Sequence, residues 1–381
     1  MTADTSLFAQ AQAWLDEDWA RMEKTLGPRL EAFRGKHILV TGAAGFLGFG
    51  FLHFFSYLNR NLLKTGRLSI VAADNYIRGC PRWLTELVAA SPDIQLLRQD
   101  ITKPWTGPAG DRFDFIIHGA SIASPKVYRQ YPLETLDTNI SGLRHMLELA
   151  KSHRAESILY FSSSEIYGDP PAHEIPTNEA YRGNVSCIGP RACYDESKRL
   201  GETLCYLYHQ QHGVRAKIVR PFNNFGPGLR LADGRVLPDF CRDILADRDI
   251  VLRSDGSPTR TFCYVSDALT GYLLTLLSSH HAAPFNIGSD SPEISMRELG
   301  RMLLEVAGSK RKVIHTPSEE VDYLTDNPNR RCPNLAKSRS LLGYTPLVDL
   351  RFGLSRMLQW YKQFVGLEEL AKDERVGEPL G

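Results

Sequence analysis

Tyr194 and Lys198 stand four residues apart in the run ACYDESKRLGETLCY, and that spacing places both side chains on one face of a helix. A phenol in water loses its proton only near pH 10. An ammonium one turn away favours the phenolate, so the pair can supply a general base near neutral pH. A packed ring beside a solvated lysine has the same spacing, so the meaning of the pair rests on the elements around it.

The first such element is a glycine turn. The run HILVTGAAGFLGFGFLHFF reads as a short β-branched strand, a turn and an apolar helix, which is the context a dinucleotide fingerprint requires. Gly42, Gly45 and Gly48 have GxxGxxG spacing. The first permits the tight turn, the second lets backbone approach a pyrophosphate, and the third allows close packing of helix on strand. The second strand, LSIVAADNY, ends at Asp74, where a carboxylate takes ribose hydroxyls and repels a 2′-phosphate, favouring NAD over NADP. LLRQDI, ending at Asp100 and Ile101, then FDFIIHGAS, a helix over 134–150, SILYFSSSE and VRAKIVRPFNNFG continue the alternation. The expected fold class is α/β, a doubly wound parallel Rossmann sheet, with Gly42, Asp74, Ala120 and Ser162 at the carboxyl ends of its strands, where ligands bind.

The 381 residues suffice for one large or two medium domains. A net charge of +1, from 45 basic and 44 acidic residues, provides no field that would steer the whole chain onto nucleic acid or an anionic membrane. Seven cysteines, Cys80, Cys187, Cys193, Cys205, Cys241, Cys263 and Cys332, lack CxxC spacing, which argues for reduced thiols in the cytoplasm and against a metal site. The acidic, amphipathic start is unlike a signal peptide, and no apolar run has membrane-spanning length.

Residues 6–33 read as a helical extension, with Leu7, Phe8, Ala11, Trp14, Leu15 and Trp19 at helical spacing, suited to packing on the body or on a partner subunit. The expected organisation is an extension over 1–35, an NAD-binding Rossmann domain over 36–225, a smaller α/β substrate lobe from 226–254 and 286–372, and a tail over 373–381. The run TFCYVSDALTGYLL reads as a strand and helix returning to the first domain, within about 255–285. Arg235, Arg260, Arg330 and Arg331 lie in the loops of the lobe. Each alone is read as solvated surface; together they suit a diphosphate or carboxylate clamp.

TGAAGFLG, SSSEIYG, YDESK, RPFNNFGP and GSPTRTFCYVSD together resemble the extended short-chain dehydrogenase/reductase family of nucleotide-sugar epimerases and dehydratases, over about 36–365. Within it, HGASIASPKVYRQYPLETLDTN, SSSEIYGDPPAH, IGPRACYDESKRLGETLCY and DGRV are most similar to the UDP-glucuronic acid decarboxylases. The resemblance implies NAD as cofactor, held by Gly42, Gly45, Phe46, Leu47, Gly48, Asp74, Asn75, Asp100, Ile101, Ala120, Ser162, Tyr194 and Lys198. It implies Tyr194 as the base at the sugar 4-hydroxyl, Lys198 as the group that holds the nicotinamide ribose and lowers the tyrosine's pKa, Ser163 as a hydrogen-bond partner of the reacting oxygen, and Ser164 and Glu165 beside C5 and C6. Ser124, Tyr128, Asn223, Arg235, Arg260 and Arg331 are the implied substrate contacts, with Arg182 a further carboxylate partner. A homodimer is implied as well, its four-helix bundle formed by the helix of Tyr194 and the helix over 134–150.

The 4,6-dehydratases carry an Asp–Glu pair where this chain has Ser164 and Glu165, and 4-epimerases generally lack the glutamate, so the pair suits decarboxylation. Epimerisation and dehydration stay open, as does a non-catalytic NAD-binding role. The chain departs from the decarboxylase pattern at Arg253, where an aromatic packs near the base, at Tyr181–Gly183 and Val185–Ile188 around the sugar, and at Gly228, which replaces an arginine.

Overall fold

The computed structural model describes residues 2–107, 112–316, 325 and 327–365. The expected tail over 373–381, and the last residues of the expected lobe, lie outside the described residues. In chain order the strands are β1 (His37–Thr41), β2 (Ser69–Asp74), β3 (Ile94–Arg98), β4 (Phe115–His118), β5 (Ser157–Phe161), β6 (Ala216–Pro221), β7 (Asn224–Phe225), β8 (Ile250–Leu252), β9 (Thr259–Arg260), β10 (Cys263–Tyr264), β11 (Pro284–Ile287), β12 (Ile294–Ser295), β13 (Val313–His315) and β14 (Arg330–Arg331). The helices are α1 (Thr2–Leu26), α2 (Phe46–Asn61), α3 (Arg82–Ala90), α4 (Pro125–Gln130), α5 (Pro132–Asp137), α6 (Leu143–His153), α7 (Ala192–His212), α8 (Val236–Leu245), α9 (Val265–Leu276), α10 (Met296–Ala307), α11 (Ala336–Leu342) and α12 (Leu350–Trp360).

Seven strands form one sheet in the order β11-β6-β5-β4-β1-β2-β3, every pair parallel. The order reverses beside β1, between β1 and β4, and in such sheets the crevice at the reversal takes the ligand. Because helices cover both faces, β1, β4 and β5 read as unbroken apolar runs, and Phe115–His118 and Ser157–Phe161 are buried throughout. The doubly wound Rossmann sheet expected from the alternation is the observed fold.

Two expectations are corrected. The strand that returns to the sheet is β11, not TFCYV: only Cys263 and Tyr264 of that run are extended, and they pair with β7 outside the main sheet. The following helix, α9, does pack on β5, β6 and β11, buried along its whole length by its continuous apolar surface. The expected helix over 134–150 is broken by a π-helical turn, Thr138–Gly142, between α5 and α6. That turn turns Asn139 inward, where it accepts from Ser121 Oγ at 2.7 Å and donates to Ser197 Oγ of α7 at 2.9 Å. Inserted turns of this kind often mark functional sites.

Helix α1 packs on α2 and α9 through Leu15, Trp19, Met22 and Leu26, all buried. Asp18, with no exposed surface, accepts from Tyr264 Oη at 2.8 Å and from Arg356 of α12 at 3.1 Å, while Arg356 stacks 3.5 Å over the Trp14 ring. The extension is thus part of the body's core. Beyond the main sheet, β12, β9 and β14 form a small sheet whose register sets Arg331 beside Arg260.

Candidate active site

The carboxyl ends of β1, β2, β4 and β5 converge on one crevice. At its floor Gly42 has φ +70°, and a Cβ there would lie 2.7 Å from backbone atoms of Gly119 and Ala120, so the turn after β1 can press against the end of β4 only as glycine. A Cβ on Gly48 would stand 2.4 Å from the Ala43 carbonyl, so this position seats α2 against the turn. The first turn of α2, with Phe46 and Leu47, thereby points its free amides into the crevice, an anion-binding arrangement. Asp74 closes one side: it accepts from the amides of Ala44 at 3.0 Å and Tyr76 at 2.8 Å. These bonds fix the carboxylate beside the glycine turn and leave it lone pairs for ribose hydroxyls. Asn75 and Asp100 cap the loops that follow, accepting from Ile77 N at 3.1 Å and Thr102 N at 2.9 Å, and Ile101 is buried against Gly142 of the π turn. Ala120 N donates to Thr41 Oγ1 at 3.3 Å. Ser162 donates to Glu202 at 2.6 Å, and Glu202 is held in turn by both arms of Arg220 at 2.7 and 2.8 Å.

At the centre, Tyr194 and Lys198 leave α7 towards the end of β5, both buried. Tyr194 is hydrogen-bonded to Ser163 and stacks on Tyr128, ring centroids 5.1 Å apart at 14°. Lys198 donates to the Phe161 carbonyl at 2.9 Å, with Nζ 5.5 Å from the Tyr194 ring centre. Burial of the pair acts against the lowering of the tyrosine's pKa that the resemblance assigns to Lys198. Burial pushes the Tyr194 phenol up to about 12, against the Ser163 hydrogen bond that favours its ionised form. Burial likewise pulls Lys198 down to about 7. Both charged forms lose water here, and desolvation outweighs what the spacing alone suggests.

The third part is a cluster of charges around Glu165. Ser163 caps the short 3₁₀ helix Ser164–Tyr167, its Oγ accepting from Glu165 N at 3.2 Å, and Ser164 is buried in that turn. The Glu165 carboxylate receives both arms of Arg331 and one arm of Arg191. Burial alone would raise its pKa; Arg191, then Arg331, overcome that and hold it at about 2. Arg191 also lies 3.7 Å from Asp195. Three guanidiniums, with Arg260, therefore meet two carboxylates, and the surplus positive charge suits an anionic group.

The other expected substrate residues separate by role. Ser124 donates to the Asp233 carbonyl at 2.8 Å, and Arg235 pairs with Asp233 while lying within electrostatic reach of Tyr194. The buried Tyr128 hydroxyl has no hydrogen-bond partner among the described residues. Asn223, at φ 38°, donates to the Thr261 carbonyl at 2.8 Å and so shapes the loop. Arg260 donates to the carbonyls of Thr259 at 2.8 Å, Pro328 at 2.5 Å and Asn329 at 3.1 Å, which makes it a brace for the strand carrying Arg331. Arg330 points to the other face of the small sheet and pairs with Glu293 at 2.7 Å, away from the cluster, because successive strand residues alternate sides. Arg182 is exposed, its carbonyl taken by Arg199. Arg191 carries no signal in the sequence beyond its place in the IGPRACY run, and Asn139 and Ser197 carry none.

The profile of the NAD dependent epimerase/dehydratase family matches residues 38–288. The chain is 38% identical over 330 residues to UDP-glucuronic acid decarboxylase 6 of Arabidopsis thaliana, covering 87% of this chain and 90% of that protein. It is 36% identical over 347 residues to UDP-glucuronic acid decarboxylase 1 of Xenopus tropicalis, covering 90% and 76%. Among solved structures, UDP-glucuronic acid 4-epimerase from Bacillus cereus, in complex with UDP-glucuronic acid and NAD, superposes with a TM-score of 0.69 at 26% identity, over 86% of this chain and 99% of that one.

Proposed function

The chain belongs to the NAD dependent epimerase/dehydratase family, and from that premise we propose that it decarboxylates a nucleotide-linked glucuronate, of the UDP-glucuronate type, to the corresponding pentose. It is an NAD-dependent nucleotide-sugar enzyme; the choice of reaction rests on one observation. Glu165 is clamped as a carboxylate between Arg331 and Arg191, with a net surplus of arginine around it. A carboxylate held at about pKa 2 is no acid for expelling a 6-hydroxyl, and Ser164 beside it carries no proton of that kind either. The surplus charge suits a uronate instead.

Gly42, Gly45, Gly48 and Asp74 would hold NAD, which would supply a hydride acceptor that is restored within each turnover. Tyr194, its phenolate favoured by Lys198 and by the positive nicotinamide ring of bound cofactor against the cost of burial, takes the proton of the sugar 4-hydroxyl, with Ser163 orienting the same oxygen, and Lys198 stands within reach of the ribose side of the crevice. Once C4 is a ketone, the C6 carboxylate lies β to a carbonyl, and carbon dioxide leaves as its bonding electrons pass into an enolate at O4. Ser163 and Tyr194 hydrogen-bond that oxygen, Arg331 orients the departing carboxylate, and a proton returned at C5 precedes reduction of C4.

A 4-epimerase acting on a uronate is the second reading, favoured by the likeness to the Bacillus cereus enzyme. Mass spectrometry of products from UDP-glucuronate and neutral UDP-hexoses distinguishes the reactions: loss of about 44 mass units for decarboxylation, about 18 for dehydration, no change for epimerisation. Parent enzyme that leaves every uronate intact overturns the decarboxylase reading.

The expected domain boundaries are supported by the separation of the small sheets β12-β9-β14 and β13-β8 from the main one. A homodimer is supported by the outer face of α7, where Leu200, Tyr206 and Leu207 are 42, 52 and 40% exposed. A cytoplasmic setting is supported by seven unpaired cysteines. Among the described residues no helix is long and apolar enough to cross a membrane.

A further inference from the structure

Glu165 is held from two sides by elements that differ in kind. Arg331 comes from β14 of the small sheet. Arg191 is the N-cap residue of α7, the helix that carries Tyr194. Arg191 is 7% exposed, its guanidinium lies 5.9 Å from the centre of the Tyr128 ring, and Tyr128 stacks in turn on Tyr194. Asp195, 3.7 Å from its Nε, steadies it from one turn along the helix. We infer that Arg191 is the positioning residue of the reaction: it keeps the Glu165 carboxylate in register with Tyr194 while Arg331 turns from Glu165 to the carboxylate of the sugar.

The inference rests on the decarboxylase reading and extends it. A uronate entering the site competes with Glu165 for Arg331, since both are carboxylates that fit the same fork. Were Arg331 the sole partner, Glu165 would be left largely enclosed and uncompensated at that moment and would take up a proton or swing away. Arg191 prevents both, because helix α7 ties it to Tyr194 and the ring of Tyr128 limits its travel. The groups facing Glu165 are Arg191 and Tyr194 from α7, Arg331 from β14, Arg260 from β9 and Tyr128 from α4. Of these, Arg191 and Arg331 both act to keep the carboxylate ionised, against the cost of burial.

The test uses NAD-loaded full-length protein, with Arg191→Met and Arg191→Lys against the parent. With UDP-glucuronate, Arg191→Met should lower kcat by about 10²-fold, the usual cost of a small misplacement, and leave KM within about threefold, since Arg331 still binds the substrate. Loss of the positive neighbour favours protonated Glu165, so an acid limb absent from the parent's kcat profile should enter at about pH 4 to 6 in Arg191→Met. Arg191→Lys should recover at least a tenth of the parent rate and move the limb back down. A raised KM with unchanged kcat, or an unmoved acid limb, overturns the inference. Glu165 can also be titrated without substrate, by carbon-13 NMR of glutamate-labelled protein with Glu165→Gln identifying its signal. Its pKa should rise in Arg191→Lys and further in Arg191→Met, and equal values in all three proteins overturn the inference. If the parent fails to turn over UDP-glucuronate, the decarboxylase reading falls while this titration still decides whether Arg191 governs Glu165. Should Arg191→Met fail to fold, the lysine variant carries both measurements.

Discussion

Replacing Glu165 by glutamine removes one negative charge from a nearly enclosed site and leaves Arg331 and Arg191 facing each other across a neutral amide. Breaking a buried ion pair by removing one partner costs about 3–5 kcal/mol. The glutamine oxygen still accepts one guanidinium hydrogen bond, so the lower end, about 3 kcal/mol, is expected. At about 2.1 cal/mol/K per residue, 381 residues have an unfolding entropy near 0.8 kcal/mol/K, and the melting temperature should fall by about 4 °C. The folded carboxyl is depressed from 4.5 to about 2, so its stabilising contribution is complete above pH 4.5 and is lost as pH falls from there through about 2. The difference between parent and variant should therefore stay constant from pH 8 to 5 and shrink below 4.5. UDP-glucuronate brings a carboxylate of its own and should restore stability to the variant more than UDP-glucose does. Calorimetry of the NAD-loaded proteins measures all three effects. A variant that melts at or above the parent, or that responds equally to both nucleotide sugars, would refute the reasoning.

Tyr194→Phe should keep the fold and bound NAD but lose turnover by about 10² or more, checked by steady-state product formation; near-normal activity excludes Tyr194 as the base. Asp74→Ala should narrow the preference for NAD over NADP, read by calorimetric titration, because Asp74 is fixed beside the glycine turn, where a carboxylate would take the ribose hydroxyls. Equal affinity in the parent contradicts that. Light scattering at micromolar concentration should give a dimer mass, and Leu207→Glu on the exposed face of α7 should shift it towards monomer.

What was legible in the sequence is what local pattern encodes. The GxxGxxG turn, Asp74 at the end of β2 and the one-turn step from Tyr194 to Lys198 are each set by neighbours in the chain, and the structure assembles them in one crevice. The charge cluster is another matter: Glu165 finds Arg191 and Arg331 at separations of 26 and 166 residues, and no periodicity links such positions. Arginines in loops could be recognised as candidates, but not that Arg330 turns outward while Arg331 turns inward, since that depends on the register of β14 on β9. The cost of burying Tyr194 was not legible either, because spacing reports the neighbour and says nothing of lost water. The π turn at Thr138–Gly142 was hidden because its residues keep helical character while their register slips.

The buried Asp18 also sets a timetable for synthesis. Its partners Tyr264 and Arg356 follow it by 246 and 338 residues. At about 5–20 residues per second, a ribosome delivers Arg356 roughly 17 to 70 s after Asp18 has emerged. For roughly the first 13 to 52 s of it, until Leu276 has been made, Leu15, Trp19, Met22 and Leu26 lack α9, the helix they cover in the finished protein. Helix α1 thus waits for its partner long after its own synthesis, and until α9 arrives the nascent chain presents an amphipathic segment to whatever chaperones attend the exit tunnel.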